Sequence, residues 1–206
     1  MFTGITRGTF PITRVERVTG RMSFAVALPP QLLTGLEIGA SVSIDGVCQT
    51  VVAIQEQDVS FDAIDETLRL TTLDQLNVGT RVAVERSFRV GDEIGGHEVS
   101  GHVIGTGKVI EVRRDNGAHD LRIEVPSAWL KYIMPKGFIA VDGSSLTVGE
   151  IHDSGWLEVH LIPETMRLTN LGHKVAGSRV NIELDARTVA IVHTVERVLA
   201  QRGLTS

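Results

Sequence analysis

The chain has 206 residues, 42% of them hydrophobic and 4% aromatic, with a formal net charge of -5 and a mean hydropathy of +0.12. This is the composition of an ordinary globular protein, long enough for two domains of about 100 residues that each bury a core. The acidic balance and scarce aromatics exclude a basic, stacking groove for single-stranded nucleic acid; the single cysteine excludes an internal disulfide; and no apolar run approaches the roughly 18 residues of a membrane span.

The N-terminus enters a strand-like pattern at once, with no charged-then-apolar leader, so a cytoplasmic protein is expected. Residues 9 to 28 read as two strands about the turn Thr19-Gly20, with Phe24, Val26 and Leu28 alternating in the second. Pro29-Pro30 opens a short helix through Leu32, Leu33 and Leu36, ended by Gly39. Residues 41 to 54 are strand-like, as are Val59 to Phe61 and Arg81 to Val84. Gly91 to Gly101 is glycine-rich and marks a boundary. Beyond it, Val109, Ile110 and Val112 lead to the hairpin signal Asp115-Asn116-Gly117, and Leu121, Ile123 and Val125 return. Pro126 then opens a second short helix through Trp129, Leu130 and Ile133. In the tail, Val189, Val192, Val195 and Leu199 recur at helical spacing with Ile191 and Val198. That apolar stripe either packs on its own domain or forms a seam between copies.

One stretch occurs twice. Asp45-Gly46-Val47-Cys48-Gln49-Thr50-Val51 returns as Asp142-Gly143-Ser144-Ser145-Leu146-Thr147-Val148, and other matches follow at the same offset of 97 or 98 residues. Thr3-Gly4 answers to Ser100-Gly101, Glu66 to Thr71 answers to Glu164 to Thr169, and Gly79 to Val82 answers to Gly177 to Val180. Four matches in register imply a duplicated domain. The predicted fold is all-β, with strand-rich copies at 1–97 and 98–187 and a C-terminal helix and tail at 188–206.

The copies differ where chemistry is available. Cys48 pairs with Ser145, Ile5 with His102, Thr6 with Val103 and Ser87 with Asp185. Two like pockets with unlike reactive groups suit a reaction between two like molecules; drift after duplication is the bland alternative. On a strand Cys48 and Thr50 share one face and Val47, Gln49 and Val51 the other, and Ser145 and Thr147 share the corresponding face. Small polar groups in a row suit a polar heterocycle, although a free cysteine is often just a small buried hydrophobe. His97 and His102 are five residues apart on an extended segment without a neighbouring cysteine, so a metal site is rejected. His102, directly after a glycine, has an acid–base pKa range. Asp185 also suits a helix N-cap, and Lys136 either holds an anion or faces water. No phosphate-binding or dinucleotide fingerprint is present.

These motifs together resemble riboflavin synthase of the alpha-chain type: Met1 to Ile5, the Asp-Gly-Val-Cys stretch, Glu66 to Arg69, Gly95-Gly96-His97, Gly101-His102-Val103, Lys136-Gly137, Asp142-Gly143 with Ser145 to Val148, and Leu161 to Thr165. The match runs the whole length. It implies two six-stranded Greek-key β-barrels in tandem, a homotrimer joined by C-terminal helices, and no metal or organic cofactor. The implied reaction is the last step of riboflavin biosynthesis, in which two 6,7-dimethyl-8-ribityllumazines give riboflavin and 5-amino-6-(ribitylamino)uracil. Non-catalytic lumazine proteins are the rival reading, and lumazine synthase, the preceding enzyme, is a candidate partner.

Carried over by position, the first pocket is expected from Gly4, Ile5, Thr6, Cys48, Gln49, Thr50, Asp62, Ala63, Ile64, Asp65, Glu66, Thr67, Gly101, His102 and Val103. The second is expected from Lys136, Ser145, Leu146, Thr147, Leu161, Ile162, Pro163, Glu164, Thr165 and Met166, and Ser41 matches a further position. Cys48, His102, Ser145 and Asp185 are the expected catalytic residues. The chain departs from the family's usual residues at Thr6 (valine), Gln49 (leucine) and Asp45 (asparagine).

Overall fold

A computed structural model describes residues 1–115 and 118–204. The first copy holds β1 (Thr9–Val18), β2 (Arg21–Ala27), β3 (Ser41–Ile44), β4 (Val47–Gln55), β5 (Asp58–Ile64) and β6 (Arg81–Arg86), closed into a barrel in the order β1-β2-β5-β4-β3-β6. The second holds β7 (Gly105–Asp115), β8 (Ala118–Glu124), β9 (Phe138–Val141), β10 (Ser144–His152), β11 (Trp156–His160) and β12 (Arg179–Leu184), closed as β10-β11-β8-β7-β12-β9. All the pairings are antiparallel. Closure removes the exposed strand edges.

Period-two burial drives each strand inward on one side. Along β4, Val47, Gln49 and Val51 are buried, whereas Cys48 is half-buried and Thr50 exposed. Met22, Phe24, Val26, Ile44, Phe61 and Val82 fill the first core, with Phe24 and Phe61 tilted at 5.4 Å between ring centroids. Leu121, Ile123, Ile139, Leu157, Val159 and Ile182 fill the second.

Some expected elements change. Residues 41 to 54 are two strands, split by Asp45-Gly46. Both residues have positive φ (45° and 84°), as do Asp142 and Gly143 (44° and 79°), which is the signature of the two-residue type I′ hairpin turn. The helix expected from Pro29-Pro30 is only α1 (Pro30–Leu33), and that expected from Pro126 is a 3-10 turn at Ser127–Tyr132. Each copy also carries a short helix that was not expected, α2 (Asp65–Leu70) and α3 (Pro163–Leu168). Of the expected hairpin signal, Asn116 and Gly117 lie outside the described residues.

The barrels meet tip to tip at the two Asp-Gly turns. A Cβ on Gly46 would lie 2.4 Å from Gly143 N, so only glycine permits this approach. Asp45 Oδ1 accepts from Ala83 N at 2.6 Å, and Asp142 Oδ1 accepts from Asn181 N at 2.7 Å. Asn181 Nδ2 donates to Asp45 O at 2.7 Å, and Lys174 Nζ sits 2.7 Å from Asp142 Oδ2. One half-buried cation thus faces two buried carboxylates. Burial first, then the charge of Asp142, pushes Asp45 up to about 7.

The tail forms α4 (Ala186–Gln201), two residues longer at its start than the expected stripe. Val189 packs on the second core, and Tyr132 and Lys131 bond His193 and Glu196 at 2.6 and 2.7 Å. Ile191 and Val195 remain 64% and 50% exposed. Among the described residues, no helix is long and apolar enough to cross a membrane.

Candidate functional site

The segments ahead of β1 and β7 cross over. Phe2 and Val99 form an antiparallel bridge, with Phe2 N to Val99 O at 2.7 Å and the reverse bond at 2.9 Å. Each segment then lies on the other copy's barrel. Ser145 N donates to Gly4 O at 2.9 Å, and Cys48 N donates to Gly101 O at 2.9 Å. The contacts are too close for side chains: a Cβ on Gly4 (φ 73°) would fall 2.5 Å from Ser145 Cβ, and one on Gly101 (φ 79°) would fall 2.6 Å from Cys48 Cβ.

Two buried carboxylates hold this crossover. Glu85 accepts from Thr3 N and Oγ1 at 2.7 Å each and from Gly4 N at 3.1 Å. Glu183 accepts from Ser100 N and Oγ at 2.7 Å each and from Gly101 N at 2.9 Å. Burial raises the pKa of Glu85, and the bonds from Thr3 and Gly4 work against that rise. Neither glutamate was singled out from the sequence. Their separation of 98 residues was the available signal, three residues beyond the Gly79 to Val82 match.

The crossover corrects one expected grouping. Gly4, Ile5 and Thr6 do not join Cys48; they line a cavity of about 120 Å³ with Ser144, Ser145, Ile162, Glu164, Thr165, Leu168 and Thr169. Gly101 and Val103 do lie with the first barrel, Gly101 on Cys48 and Val103 against its core. His102 is exposed, with its backbone N bonded to Ser100 Oγ at 3.1 Å. Lys136 is also exposed, in a loop with φ 64°, and does not line the second cavity. Leu146 and Leu161 are buried in the second core, whereas Thr147 is exposed. Pro163 and Met166 belong to α3 without lining the cavity.

Around the first barrel, Ser41 stands opposite Thr50 in the β3–β4 ladder. Asp62 is tied to Ser23 Oγ at 2.6 Å and to Arg21, and Ala63 is buried. Ile64 is 58% exposed where β5 gives way to Asp65, Glu66 and Thr67 of α2. Gln49 points away from the Cys48 face, yet its Nε2 donates to Cys48 O at 3.0 Å. Its Oε1 is buried with no hydrogen-bond partner.

The imidazole that reaches a reactive group is that of His97. Its Nδ1 lies 2.6 Å from Ser145 Oγ, and its ring stacks on Phe138 at 5.1 Å. Burial lowers its pKa, against the opposing pull of the Asp185 and Glu183 charges. A largely neutral imidazole beside a hydroxyl can accept the hydroxyl proton. Asp185 caps α4, accepting from Thr188 N at 3.0 Å and Thr188 Oγ1 at 2.7 Å. Burial would raise its pKa, but these bonds and the N–H of Arg187 outweigh that, so Asp185 is held below the usual carboxylate value.

Elsewhere, a wider cavity of about 620 Å³ near Thr106, Lys108 and Ser127 contains none of the expected site residues. Asp120, Glu158 and His160 bring ligand atoms within 4.8 Å of one another. Arg113 and Arg122 already pair with Glu158, so this acidic group has its counter-charge from the protein.

The lumazine binding domain family matches residues 3–87 and 100–185, once per barrel. Riboflavin synthase of Escherichia coli (strain K12) is 48% identical over 203 residues, covering 98% of this chain and 95% of that protein. Riboflavin synthase of Chlamydia pneumoniae is 39% identical, covering 98% of this chain and 99% of that one. The chain belongs to the riboflavin synthase family. Among solved structures, LumP complexed with riboflavin superimposes with a TM-score of 0.83 at 27% identity, covering 90% of this chain and all of that one. LumP complexed with 6,7-dimethyl-8-(1'-D-ribityl) lumazine gives 0.79 at 27% identity, covering 89% and 98%.

Proposed function

We propose that this enzyme converts two molecules of 6,7-dimethyl-8-ribityllumazine into riboflavin and 5-amino-6-(ribitylamino)uracil. The observation that carries the reading is a pair of equivalent sites in one chain with unlike groups, a thiol beside Gly101 in one and a hydroxyl bonded to His97 in the other. A dismutation of two like molecules needs one of them to lose a proton from its C7 methyl and the other to be attacked at C7. A four-carbon unit then passes between the joined rings.

Ser145, with His97 as its base, and Cys48 are assigned to addition at C7 or to its polarisation. Asp185 supports the imidazole electrostatically, and exposed His102 serves proton transfer at the open side of the first site. Holding both rings in order lowers the barrier further, since effective molarities of oriented pairs are large. The exposed stripe of α4 is assigned to an interface between copies in a homotrimer, where the N-terminal barrel of one subunit meets the C-terminal barrel of the next.

A second reading, a lumazine or flavin carrier, draws on the likeness to LumP. Incubation of the purified chain with the lumazine alone separates the two. The proposed function predicts one riboflavin for every two lumazines consumed, whereas stable binding without riboflavin favours the carrier.

A further inference from the structure

Besides the thiol and imidazole, the two sites differ at two neighbouring matched positions. Thr6 and Ser144 are only 6% and 3% exposed. Their hydroxyl oxygens lie 3.5 Å apart on the wall of the 120 Å³ cavity beside Gly4, Ser145 and Ile162. In the other copy the equivalent residues are Val103 and Val47, which pack in the first core. Both positions are therefore polar in the second site and apolar in the first.

A hydroxyl pair bonds best near 2.7–2.8 Å, and each hydroxyl offers one donor and two acceptor directions. At 3.5 Å the bond is weak, and it is the only side-chain hydrogen bond that either hydroxyl makes among the described residues. Buried hydroxyls that are poorly paired are costly, and a polar atom placed against them recovers the loss. The cavity that both residues line gives such an atom a place to stand. Valines at the same places offer only apolar contact.

We infer that Thr6 and Ser144 are specificity-determining residues of the C-terminal site, where they hold a ring carbonyl or ring nitrogen of the bound heterocycle, directly or through one water. The inference rests on the proposed function and deepens it: the two sites bind the same lumazine unequally, because one reads it with hydroxyls and the other with valines.

The test replaces both residues by those the other copy uses, Thr6→Val with Ser144→Val. The probe is a lumazine analogue without the C7 methyl, which can bind but cannot give up the methyl proton, followed by fluorescence titration of the full chain. Wild type shows two classes of site per chain. The double variant weakens one class about tenfold, the value of roughly one ordinary hydrogen bond, and leaves the other class unmoved. Thr6→Ser, which keeps the hydroxyl, retains wild-type affinity. If the double variant does not fold, judged by its melting transition, Thr6→Val alone is titrated, with a smaller loss expected in the same class.

Wild-type affinity at both classes in the folded valine variant overturns the assignment. So does a wild type with two equal sites, or one that does not bind the analogue. Production of riboflavin from the natural lumazine reports on the proposed function separately. A chain that makes none, yet shows the one-class tenfold shift, loses the enzymatic reading and keeps the hydroxyl assignment.

Discussion

The two barrels share their frame and differ in their chemistry. Gly4 and Gly101, Glu85 and Glu183, Asp45 and Asp142, and Gly46 and Gly143 make the same contacts in both copies. Cys48 and Ser145 occupy equivalent places with different reactive atoms, and among the described residues only Ser145 has an imidazole bonded to it, supplied by His97 from the segment joining the copies. Residues that position backbone are alike in both halves, while Ile5 and His102, Thr6 and Val103, and Cys48 and Ser145 differ. A repeat of this kind builds two similar walls and lets each acquire its own reactive group.

The shared frame breaks most severely at its axis. Gly46→Ala adds left-handed strain to a contact of 2.4 Å with Gly143 N, for an expected loss of about 2–5 kcal/mol in urea unfolding. Gly79→Ala has similar strain (φ 89°) with nothing within 4 Å, so it should lose only about 1–2 kcal/mol. Equal losses would mean that the turn-to-turn contact contributes nothing.

The unlike chemistry is tested at the histidines. His97→Gln should lower kcat by about 10²-fold, within the range credited to a positioned base, and His102→Gln should lower it less. The acid limb of wild-type kcat should fall at a pH below 6.5, since His97 is lowered by burial, and His97→Gln should remove that limb. A larger effect of His102→Gln would reverse the assignment.

A smaller asymmetry lies between the barrels. Asp45 is raised from 3.8 to about 7 by burial and by Asp142, so the folded state binds its proton more tightly than the unfolded chain does. Stability from this group is full below pH 3.8 and is lost as pH rises towards 7. Asp45→Asn keeps an acceptor for Ala83 N and tolerates the positive φ. It should raise the melting temperature at pH 8 relative to wild type, with the difference vanishing near pH 4. A constant difference across that range would remove Asp45 as the titrating group.

Much of this frame was legible beforehand. Alternation predicts most strands, but the repeated Asp-Gly is read only as a sign of duplication, so the turn that divides residues 41 to 54 is not anticipated. The short α2 and α3 were missed because six residues with no buried member carry no apolar period. The crossover was hidden for a different reason: a two-fold repeat looks the same whether each leader segment lies on its own barrel or on the other. Position therefore named Gly4 to Thr6 but assigned them to the wrong wall. His97 enters the sequence reading as a rejected metal ligand and as part of a family motif, and nothing in its spacing points to Ser145, 48 residues away.

The central claim is that the difference between the copies is functional, and the most direct test is steady-state turnover of the lumazine by Cys48→Ser, which makes the two sites alike at that position. A fall in kcat of about tenfold or more, with lumazine binding and melting temperature close to wild type, is predicted. Wild-type turnover by this variant would contradict the account, leaving the thiol a small half-buried side chain and the asymmetry mere drift.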